Sequence, residues 1–218
     1  MKLCMCIPHG NPYLYGPWVD YIRDQLAYPD MTVELLQTYS QPIATARNEL
    51  VTRAYYRGAD YILFVDDDIW PPRDGINKLI QSNLPIVGGL CRYRTIKKQW
   101  VIFPESKSDE AGVIEVDETG CGFLLIKREV ITTMAGTFDV SDYEFFKWAG
   151  STRAPNGEDS TFCRLAKKAG FKIYIDTEVK CGHHDLVVFD NSKPGFSQIR
   201  RGKKDGQAVE NYTIGVLR

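Results

Sequence analysis

The sequence predicts an α/β fold in which a mostly parallel central sheet is flanked by helices, with a smaller antiparallel portion. Two observations support this class. Between residues 1 and 90, buried-type strands alternate with amphipathic helices, which is the pattern of parallel strands joined by crossover helices. Beyond residue 91, short apolar segments are separated by turn-rich sequence, which is typical of antiparallel pairing. No low-complexity linker divides the 218 residues, so we expect one domain.

The first half of the chain contains the parallel pattern. Its most apolar strand, Tyr61–Val65, has the β-branched and aromatic content of a strand buried on both faces. Helices begin near prolines, which suit the first helical turn, and Gly58 follows the second helix as a stop signal. Strands are predicted at Lys2–Ile7, Met31–Thr38, Tyr61–Val65 and Pro85–Leu90, and helices from Pro17, over Pro42–Arg57 and over Asp74–Ser82.

The second half is predicted to add short strands and further helices. The segments Trp100–Phe103 and Val113–Val116 are suited to a hairpin or an antiparallel pair. Thr119–Ile126 is predicted as a strand opened by two glycines, where a ligand or another backbone can approach closely. The other predictions are helices over Lys127–Met134 and Glu158–Ala169, short strands at Phe171–Ile175 and Val179–Cys181, and a final edge strand at Tyr212–Leu217.

Composition excludes several kinds of partner. A net charge of −1 and a pI near 6.3 mean that the chain has no overall positive field that would attract nucleic acid or an anionic membrane. Positive charge is concentrated locally in one cluster, formed by Arg200, Arg201, Lys203 and Lys204. Neither a signal peptide nor an apolar run of about 18 residues is present, so we expect a cytoplasmic chain with no membrane partner. The six cysteines lack CxxC spacing and are expected to be reduced and buried.

Three carboxylates follow the most apolar strand directly. In an extended chain successive side chains alternate, so Asp66 and Asp68 are expected on one side and Asp67 on the other. Like charges about 5 Å apart repel by roughly 3 kcal/mol at a surface-like dielectric, so a hard divalent cation with bound phosphate is the natural occupant. The alternative is a solvated acidic turn without function.

Three further groups are candidates for the same chemistry. Glu158 and Asp159 lie at a predicted helix start, where the helix dipole alone also favours acidic residues. His183 and His184 are neighbours after a strand, so only one of them is expected to face any given site. Arg47 lies within the second helix, where an arginine either reaches a phosphate or nucleotide or makes a surface ion pair.

The order and spacing of these groups resemble the GT-A class of nucleotide-sugar glycosyltransferases. The shared features are a strand ending in D-x-D, a GxGFLLI strand, an aromatic loop that runs into G-E-D at a helix start, and G-H after a strand. The resemblance covers roughly residues 2–185 and is closest to small soluble members of viral or bacterial type, which contain a segment like ARNELVTRAYYRGADYILFVDDDIWPP. It implies a Rossmann-like GT-A fold with a nucleotide-sugar-binding half (1–90), an acceptor and catalytic half (91–185) and a tail (186–218).

The resemblance also implies roles on the donor side. The loop after the first strand, with Pro8, His9 and Asn11, would lie against the base of the donor. Arg47 would help to hold the nucleotide, and Asp67 would be a further donor-binding residue. The donor expected from the resemblance is a nucleotide-sugar, with a UDP-hexose favoured.

For the metal, the resemblance implies three ligands. Asp66 would approach both the ribose and the metal, and Asp68 would bind the metal directly. His183 matches the additional ligand of the family, with His184 as its rival. Carboxylate and phosphate oxygens suit Mn²⁺ or Mg²⁺, and an imidazole ligand favours Mn²⁺ slightly.

On the acceptor side, Asp159 matches the base that takes the proton of the acceptor, with Glu158 beside it. A base at that position implies direct displacement with inversion. Gly122, in the glycine-rich strand, and Trp148, in the aromatic loop, are candidates for contact with the acceptor, whereas the phenylalanines of that loop are equally suited to the core.

Three alternatives remain open. The acceptor is by default a sugar hydroxyl, but a hydroxymethylated base of viral DNA is a second possibility, with the basic cluster at residues 200–204 on its phosphates. A sugar-phosphate nucleotidyltransferase is disfavoured because the loop IPHGNPYLYGP has no lysine or arginine for a triphosphate. The last alternative is a non-catalytic module whose acidic cluster holds a structural cation.

Overall fold

The computed structural model describes residues 1–10, 16–26, 31–92, 100–104, 107, 110–138, 144–151, 154–183, 187–188, 196–198, 202–204, 207–209 and 214–215. Its helices are α1 (Gly16–Leu26), α2 (Ile43–Tyr56), α3 (Gly75–Gln81), α4 (Arg128–Phe138) and α5 (Glu158–Lys168). Its strands in the first half of the chain are β1 (Lys2–His9), β2 (Thr32–Tyr39), β3 (Tyr61–Val65), β4 (Ile69–Trp70), β5 (Ile86–Leu90) and β6 (Ile102–Phe103).

The strands of the second half have two to five residues, apart from one of eight. They are β7 (Val113–Val116), β8 (Glu118–Thr119), β9 (Phe123–Lys127), β10 (Ala149–Ser151), β11 (Ala154–Asn156), β12 (Ile173–Lys180), β13 (Gly182–His183), β14 (Val187–Val188), β15 (Phe196–Gln198), β16 (Gly202–Lys204), β17 (Gln207–Val209) and β18 (Ile214–Gly215).

A seven-stranded sheet forms the centre of the compact unit Met1–His183, in the order β2-β1-β3-β9-β5-β12-β7. The pairs β1 with β2, β1 with β3 and β5 with β12 are parallel. Strand β9 lies antiparallel between β3 and β5, and β7 is antiparallel to β12 at the edge. Five strands (β1, β2, β3, β5 and β12) therefore run one way and two (β7 and β9) the other. The predicted α/β class, a mostly parallel central sheet flanked by helices with a smaller antiparallel portion, is confirmed.

Helices cover both faces of this sheet because its strands are apolar on both faces. Along β1, Leu3, Met5 and Ile7 pack in the same core cluster as α1 and α3, and the alternate residues Cys4 and Cys6 pack in the cluster that contains α2, α4 and α5. This alternation is the period of two expected for a strand buried on both sides. All six cysteines are free and buried, as expected.

Two strand predictions are corrected. The segments that were expected to pair with each other separate instead: β6 pairs with β8, and β7 pairs with β12 at the sheet edge. The two short strands expected at Phe171–Ile175 and Val179–Cys181 are one eight-residue strand, β12, with a register shift against β5 between Asp176 and Lys180. The irregularity explains why the sequence suggested a break there.

Residues His184–Arg218 form a second compact unit. Within it, β15 pairs with β14 and β18, and β16 pairs with β17, all antiparallel. The predicted final edge strand is present as β18 at the edge of its small sheet. The proposed division of the chain at residues 90 and 185 stays a prediction. None of the helices described is both long and apolar enough to span a membrane.

Candidate active site

The three aspartates lie in a tight turn and not in an extended strand, which corrects the predicted alternation. The Ile69 amide donates to the Asp66 carbonyl oxygen at 3.0 Å and closes the turn over Asp67 and Asp68. The Asp66 amide donates to the Gly122 carbonyl oxygen, also at 3.0 Å. The turn forms because β4 starts directly after the aspartates, so the chain must change direction there. Each of the three carboxylates consequently has a different partner.

Asp66 faces Arg47, which is the centre of the acidic group. The Arg47 side chain is 3% exposed, and its Nη2 donates to both Asp66 carboxylate oxygens at 3.0 and 3.1 Å. Its Nη1 donates to Glu158 Oε1 and Asp159 Oδ1. Arg47 comes from α2, Asp66 follows β3 and the other two carboxylates begin α5. The expected surface ion pair is thus a buried one, and the role of Arg47 in nucleotide binding stays a prediction.

One guanidinium shared by three carboxylates shifts the pKa of its neighbours. Burial lowers the pKa of Arg47, but the charges of Asp66 and Asp159 outweigh burial and raise it. Burial and then repulsion from Asp159 raise the pKa of Glu158 to about 7, although Arg47 acts in the opposite direction. Glu158 is therefore the carboxylate of this group whose pKa is raised toward neutral pH.

Asp67 faces the end of β1. Its Oδ2 lies 3.3 Å from Nδ1 of His9, and Nε2 of His9 lies 2.9 Å from Nε2 of Gln37. The His9 side chain is 0% exposed, and its ring stacks on Tyr39 with the ring centroids 4.8 Å apart. The contact of His9 with the base of the donor stays a prediction, and in this structure the ring contacts Asp67, Gln37 and Tyr39.

The first strand is also longer than predicted, which explains the burial of His9. Pairing with β2 continues through Pro8, opposite Thr38, and His9, opposite Tyr39. Pro8 is buried within this strand and does not belong to a loop. The strand extends because β2 offers a partner along its whole length, which overrides the local turn signal of the proline.

Asp68 faces His183. Strand β13 pairs with β4, which places His183 opposite Ile69 and brings His183 Nε2 to 3.4 Å from Asp68 Oδ1. The other ring nitrogen, Nδ1, lies 2.7 Å from the carbonyl oxygen of Arg92, so it must be the protonated nitrogen. A hydrogen bond from the second ring nitrogen to a carbonyl is the arrangement that orients a metal-ligating histidine.

The predicted ligand set is therefore only partly assembled. Asp68 and His183 are adjacent, whereas both oxygens of Asp66 accept hydrogen bonds from Arg47. Within the described part of the chain, no three His, Cys, Asp or Glu side chains form a group that could hold a metal ion. Two protein ligands suit Mg²⁺ or Mn²⁺ nonetheless, because such ions commonly take one or two carboxylates and complete their shell with waters and substrate phosphates.

The predicted acceptor residues occupy different environments. A Cβ atom at Gly122 would lie 3.6 Å from Asp66 Oδ2 and 3.0 Å from Ile69 Cγ1, so Gly122 is at the acidic group. Trp148 is 62% exposed, whereas Phe146 in the same loop is core. Asn48 holds this loop, since its side-chain amide donates to the Phe146 carbonyl at 2.8 Å and accepts from the Phe146 amide at 2.9 Å.

Some predictions fall outside the described residues, namely those for Asn11, His184, Arg200 and Arg201. Conversely, sequence reasoning missed Gln37 and the Arg92 carbonyl, which contact the two histidines of the site. Gln37 lies opposite Ile7 in the pairing of β1 with β2, a register that the sequence does not show. A backbone carbonyl likewise leaves no signal in a sequence.

Comparison with known proteins concerns the fold alone. No protein-family model and no curated protein matches this chain. Among solved structures, it is similar to A197 from STIV, with a TM-score of 0.55 and 18% identity over 100% of this chain and 98% of A197. This likeness shows a shared fold.

Two more distant likenesses were found. One is to GalNAc-T7, crystallised with UDP, GalNAc and Mn²⁺, with a TM-score of 0.49 and 11% identity over 84% of this chain and 43% of that one. The other is to HddC from Yersinia pseudotuberculosis complexed with GMP-PN, with a TM-score of 0.34 and 11% identity over 59% of this chain and 77% of that one. Both are too distant to bear on activity. The chain thus has an α/β fold shared with A197, with an acidic site where the most apolar strand ends.

Proposed function

We propose that this chain is a metal-dependent glycosyltransferase that moves a sugar from a nucleotide-sugar to a hydroxyl acceptor. A UDP-hexose is the favoured donor, and Mn²⁺ or Mg²⁺ is the proposed cofactor. The observation that supports the proposal best is the contact between Asp68 Oδ1 and His183 Nε2 at 3.4 Å, which joins the end of the central strands to a residue from the far end of the Met1–His183 unit.

The chemistry of that contact favours a cation. Because His183 Nδ1 donates to the Arg92 carbonyl, the imidazole in its neutral form presents the lone pair of Nε2 to the Asp68 carboxylate. Two acceptors that face each other need a proton or a cation between them. Adjacent ligands of an octahedral ion with bonds of about 2.1 Å are about 3 Å apart, which is close to the separation of 3.4 Å in the structure.

Each part of the site then has a task in the proposed reaction. The bound cation would stabilise the negative charge that develops on the leaving diphosphate. Asp68 and His183 hold it, and Arg47 fixes Asp66 and Asp159 relative to each other through Nη2 and Nη1. Arg47 and Asp159 belong to helices and His183 to a strand, and a backbone hydrogen bond closes the turn that carries Asp66 and Asp68.

Asp159 is the proposed base. Its side chain is 27% exposed, whereas that of Glu158 is 7% exposed, so Asp159 is the carboxylate that an acceptor hydroxyl can reach. Asp159 would take the proton of the acceptor while the sugar is displaced, which gives inversion at the anomeric carbon. Glu158, whose pKa is raised to about 7, would alter the negative charge next to Asp159 when it gains or loses its proton.

A thermal-shift panel with Mn²⁺, UDP and both together tests the donor site. A protein is stabilised by whatever binds its folded state, so Mn²⁺ plus UDP should raise the melting temperature well above either alone. Asp68→Ala and His183→Ala should abolish the extra shift. The matched control is Asp74→Ala, which removes an exposed carboxylate paired with Lys78 on α3.

A screen of nucleotide-sugars for metal-dependent hydrolysis would then identify the donor. We expect release of the nucleotide by the wild type and at least a hundredfold less by Asp68→Ala, because loss of a charge-stabilising group typically costs about two orders of magnitude or more. Hydrolysis that is indifferent to metal, or equal in the wild type and Asp68→Ala, would contradict the proposal.

A DNA acceptor remains a prediction, tested by retention on a DNA column before and after neutralisation of residues 200–204.

A further inference from the structure

We propose that Asn48 is a positioning residue for the acceptor: it holds residues 144–148 so that Trp148 lies beside the start of α5 and packs against the ring of a pyranose acceptor. The inference rests on the proposed function. It names the chemical class of the acceptor and adds Asn48 to the residues on which acceptor binding depends. Its basis is a pair of hydrogen bonds between the Asn48 side chain and the backbone of Phe146.

The Asn48 side chain takes the place of a strand partner for Phe146. Its Nδ2 donates to the Phe146 carbonyl oxygen at 2.8 Å, and its Oδ1 accepts from the Phe146 amide at 2.9 Å. A primary amide can donate and accept toward the backbone of one residue at once, whereas a carboxylate only accepts and an aliphatic chain does neither. Asn48 follows Arg47 directly on α2, so the helical turn that holds the acidic group also holds this loop.

Phe146 packs against the two elements that carry carboxylates of the site. Its side chain, 1% exposed, lies edge-on to Phe64 with ring centroids 5.4 Å apart and stacks on Phe162 with centroids 4.8 Å apart. Phe64 belongs to β3, two residues before Asp66. Phe162 belongs to α5, three residues after Asp159. This packing and the hydrogen bonds of Asn48 together hold the loop in place relative to both carboxylates.

Strand pairing places Trp148 at the start of α5. Ala149 of β10 lies opposite Asn156 of β11, so the open end of this hairpin brings Trp148 and Gly157 next to each other. Gly157 precedes Asp159, the proposed base, by two residues. Trp148 is 62% exposed, and a Cβ atom at Gly157 would meet no atom of the described residues within 4 Å. The indole therefore borders an open space at the beginning of α5.

An exposed indole beside a carboxylate favours a pyranose as the acceptor. The indole has a flat apolar face, which gains from covering the axial C–H groups on one face of a sugar ring. The hydroxyl groups around the edge of that ring remain free to reach Asp159, whose side chain is 27% exposed. A flexible polyol or a peptide hydroxyl has no flat apolar face and would gain less from Trp148.

Saturation-transfer NMR on the full chain tests the inference, with the methyl α-glycosides of glucose, galactose and mannose as probes and with UDP and Mg²⁺ present. We expect transfer to the ring C–H protons of at least one glycoside in the wild type. The signal should fall by about fivefold or more in Trp148→Ala and in Asn48→Leu, because the first removes the platform and the second its two hydrogen bonds. Asn48→Gln, which keeps the amide group, should retain more signal than Asn48→Leu.

Calorimetric titration with UDP and Mg²⁺ separates this role from a merely structural one. The affinity for UDP should be nearly the same in the wild type, Trp148→Ala and Asn48→Leu. Glu49→Ala is the matched control for both measurements, because Glu49 follows Asn48 on α2 and pairs with Arg53 at the surface. Should Asn48→Leu not fold, Asn48→Ala removes the same two hydrogen bonds with a smaller side chain.

Three results would overturn the inference and leave the proposed function standing. They are no transfer to any glycoside in the wild type, an undiminished signal in Trp148→Ala or in Asn48→Leu, and a stronger signal from 5-hydroxymethyl-2′-deoxycytidine than from every glycoside. Asn48 variants that lose the glycoside and UDP to the same extent would overturn the positioning role. Failure of the wild type to bind UDP with Mg²⁺ would overturn the proposed function as well.

Discussion

Arg47 is the residue on which the acidic site depends most. Its guanidinium, 3% exposed, faces Asp66, Glu158 and Asp159, and its Nε is buried with no hydrogen-bond partner in the described part of the protein. A planar fork can bind carboxylates from two elements at once, which a lysine ammonium does less well. Sequence spacing identified the arginine and the carboxylates, but nothing in the sequence showed that they touch, because α2 and α5 are more than a hundred residues apart along the chain.

Replacement of Arg47 should therefore be strongly destabilising. Arg47→Ala leaves the buried Glu158 and the partly exposed Asp66 and Asp159 without a counter-charge, and we expect a loss of roughly 3–5 kcal/mol in the free energy of unfolding, measured by urea denaturation. Arg47→Lys should lose less, because it keeps the charge. Arg23→Ala, which removes an exposed ion pair with Asp20 on α1, should change stability little. Equal effects of the two alanine variants would contradict the buried ion-pair cluster.

Glu158 predicts a specific dependence of stability on pH. Its pKa rises from the ordinary value of 4.5 to about 7 on folding, so the folded state binds more protons between these values. The free energy of unfolding should then fall as the pH rises from 4.5 to 7, by up to roughly 3 kcal/mol from this group. In Glu158→Gln this contribution should be missing. A wild type and variant with parallel stability curves across this pH range would exclude the raised pKa.

At the scale of elements, strand pairing decides which side chains meet. Strand β13 brings His183 to Asp68 by pairing with β4, and β12 leads into β13 after pairing with β5. The order of strands and helices in the parallel half was predictable from periodicity, and each predicted element there is present with shifts at its ends. The pairing partners of β6 and β7 could not be predicted from the sequence, because short antiparallel segments are compatible with several pairings.

The contact between β5 and β12 can be tested at Gly89. A Cβ atom there would lie 2.9 Å from both Val179 Cγ1 and the Val179 carbonyl oxygen, so the two strands would have to move apart. We expect Gly89→Ala to lower the free energy of unfolding by roughly 1–3 kcal/mol, measured by urea denaturation. The control, Gly136→Ala in α4, meets nothing within 4 Å and should stabilise by up to about 1 kcal/mol. A neutral or stabilising Gly89→Ala would contradict the strand packing.

At the scale of the whole molecule, the Met1–His183 unit is a sheet whose central strands are buried on both faces. The charged groups accordingly lie at strand and helix ends, where Asp66 after β3 and the two acidic residues that begin α5 meet Arg47 of α2. The fold class followed from the sequence because an alternating strand and helix pattern has few other solutions. Two features could not be predicted from the sequence, namely the turn at Asp66–Asp68 and the extension of β1 to His9. Tertiary pairing determines both.

Electron paramagnetic resonance of Mn²⁺ titrated into the full chain with UDP is the most direct test of the central claim, that Asp68 and His183 hold a cation for a nucleoside diphosphate. We expect tight Mn²⁺ binding that requires UDP, is lost or weakened at least about tenfold in Asp68→Ala and His183→Ala, and is unchanged in Asp74→Ala. Mn²⁺ binding of equal strength in all four proteins, or its absence from the wild type with UDP, would contradict the account.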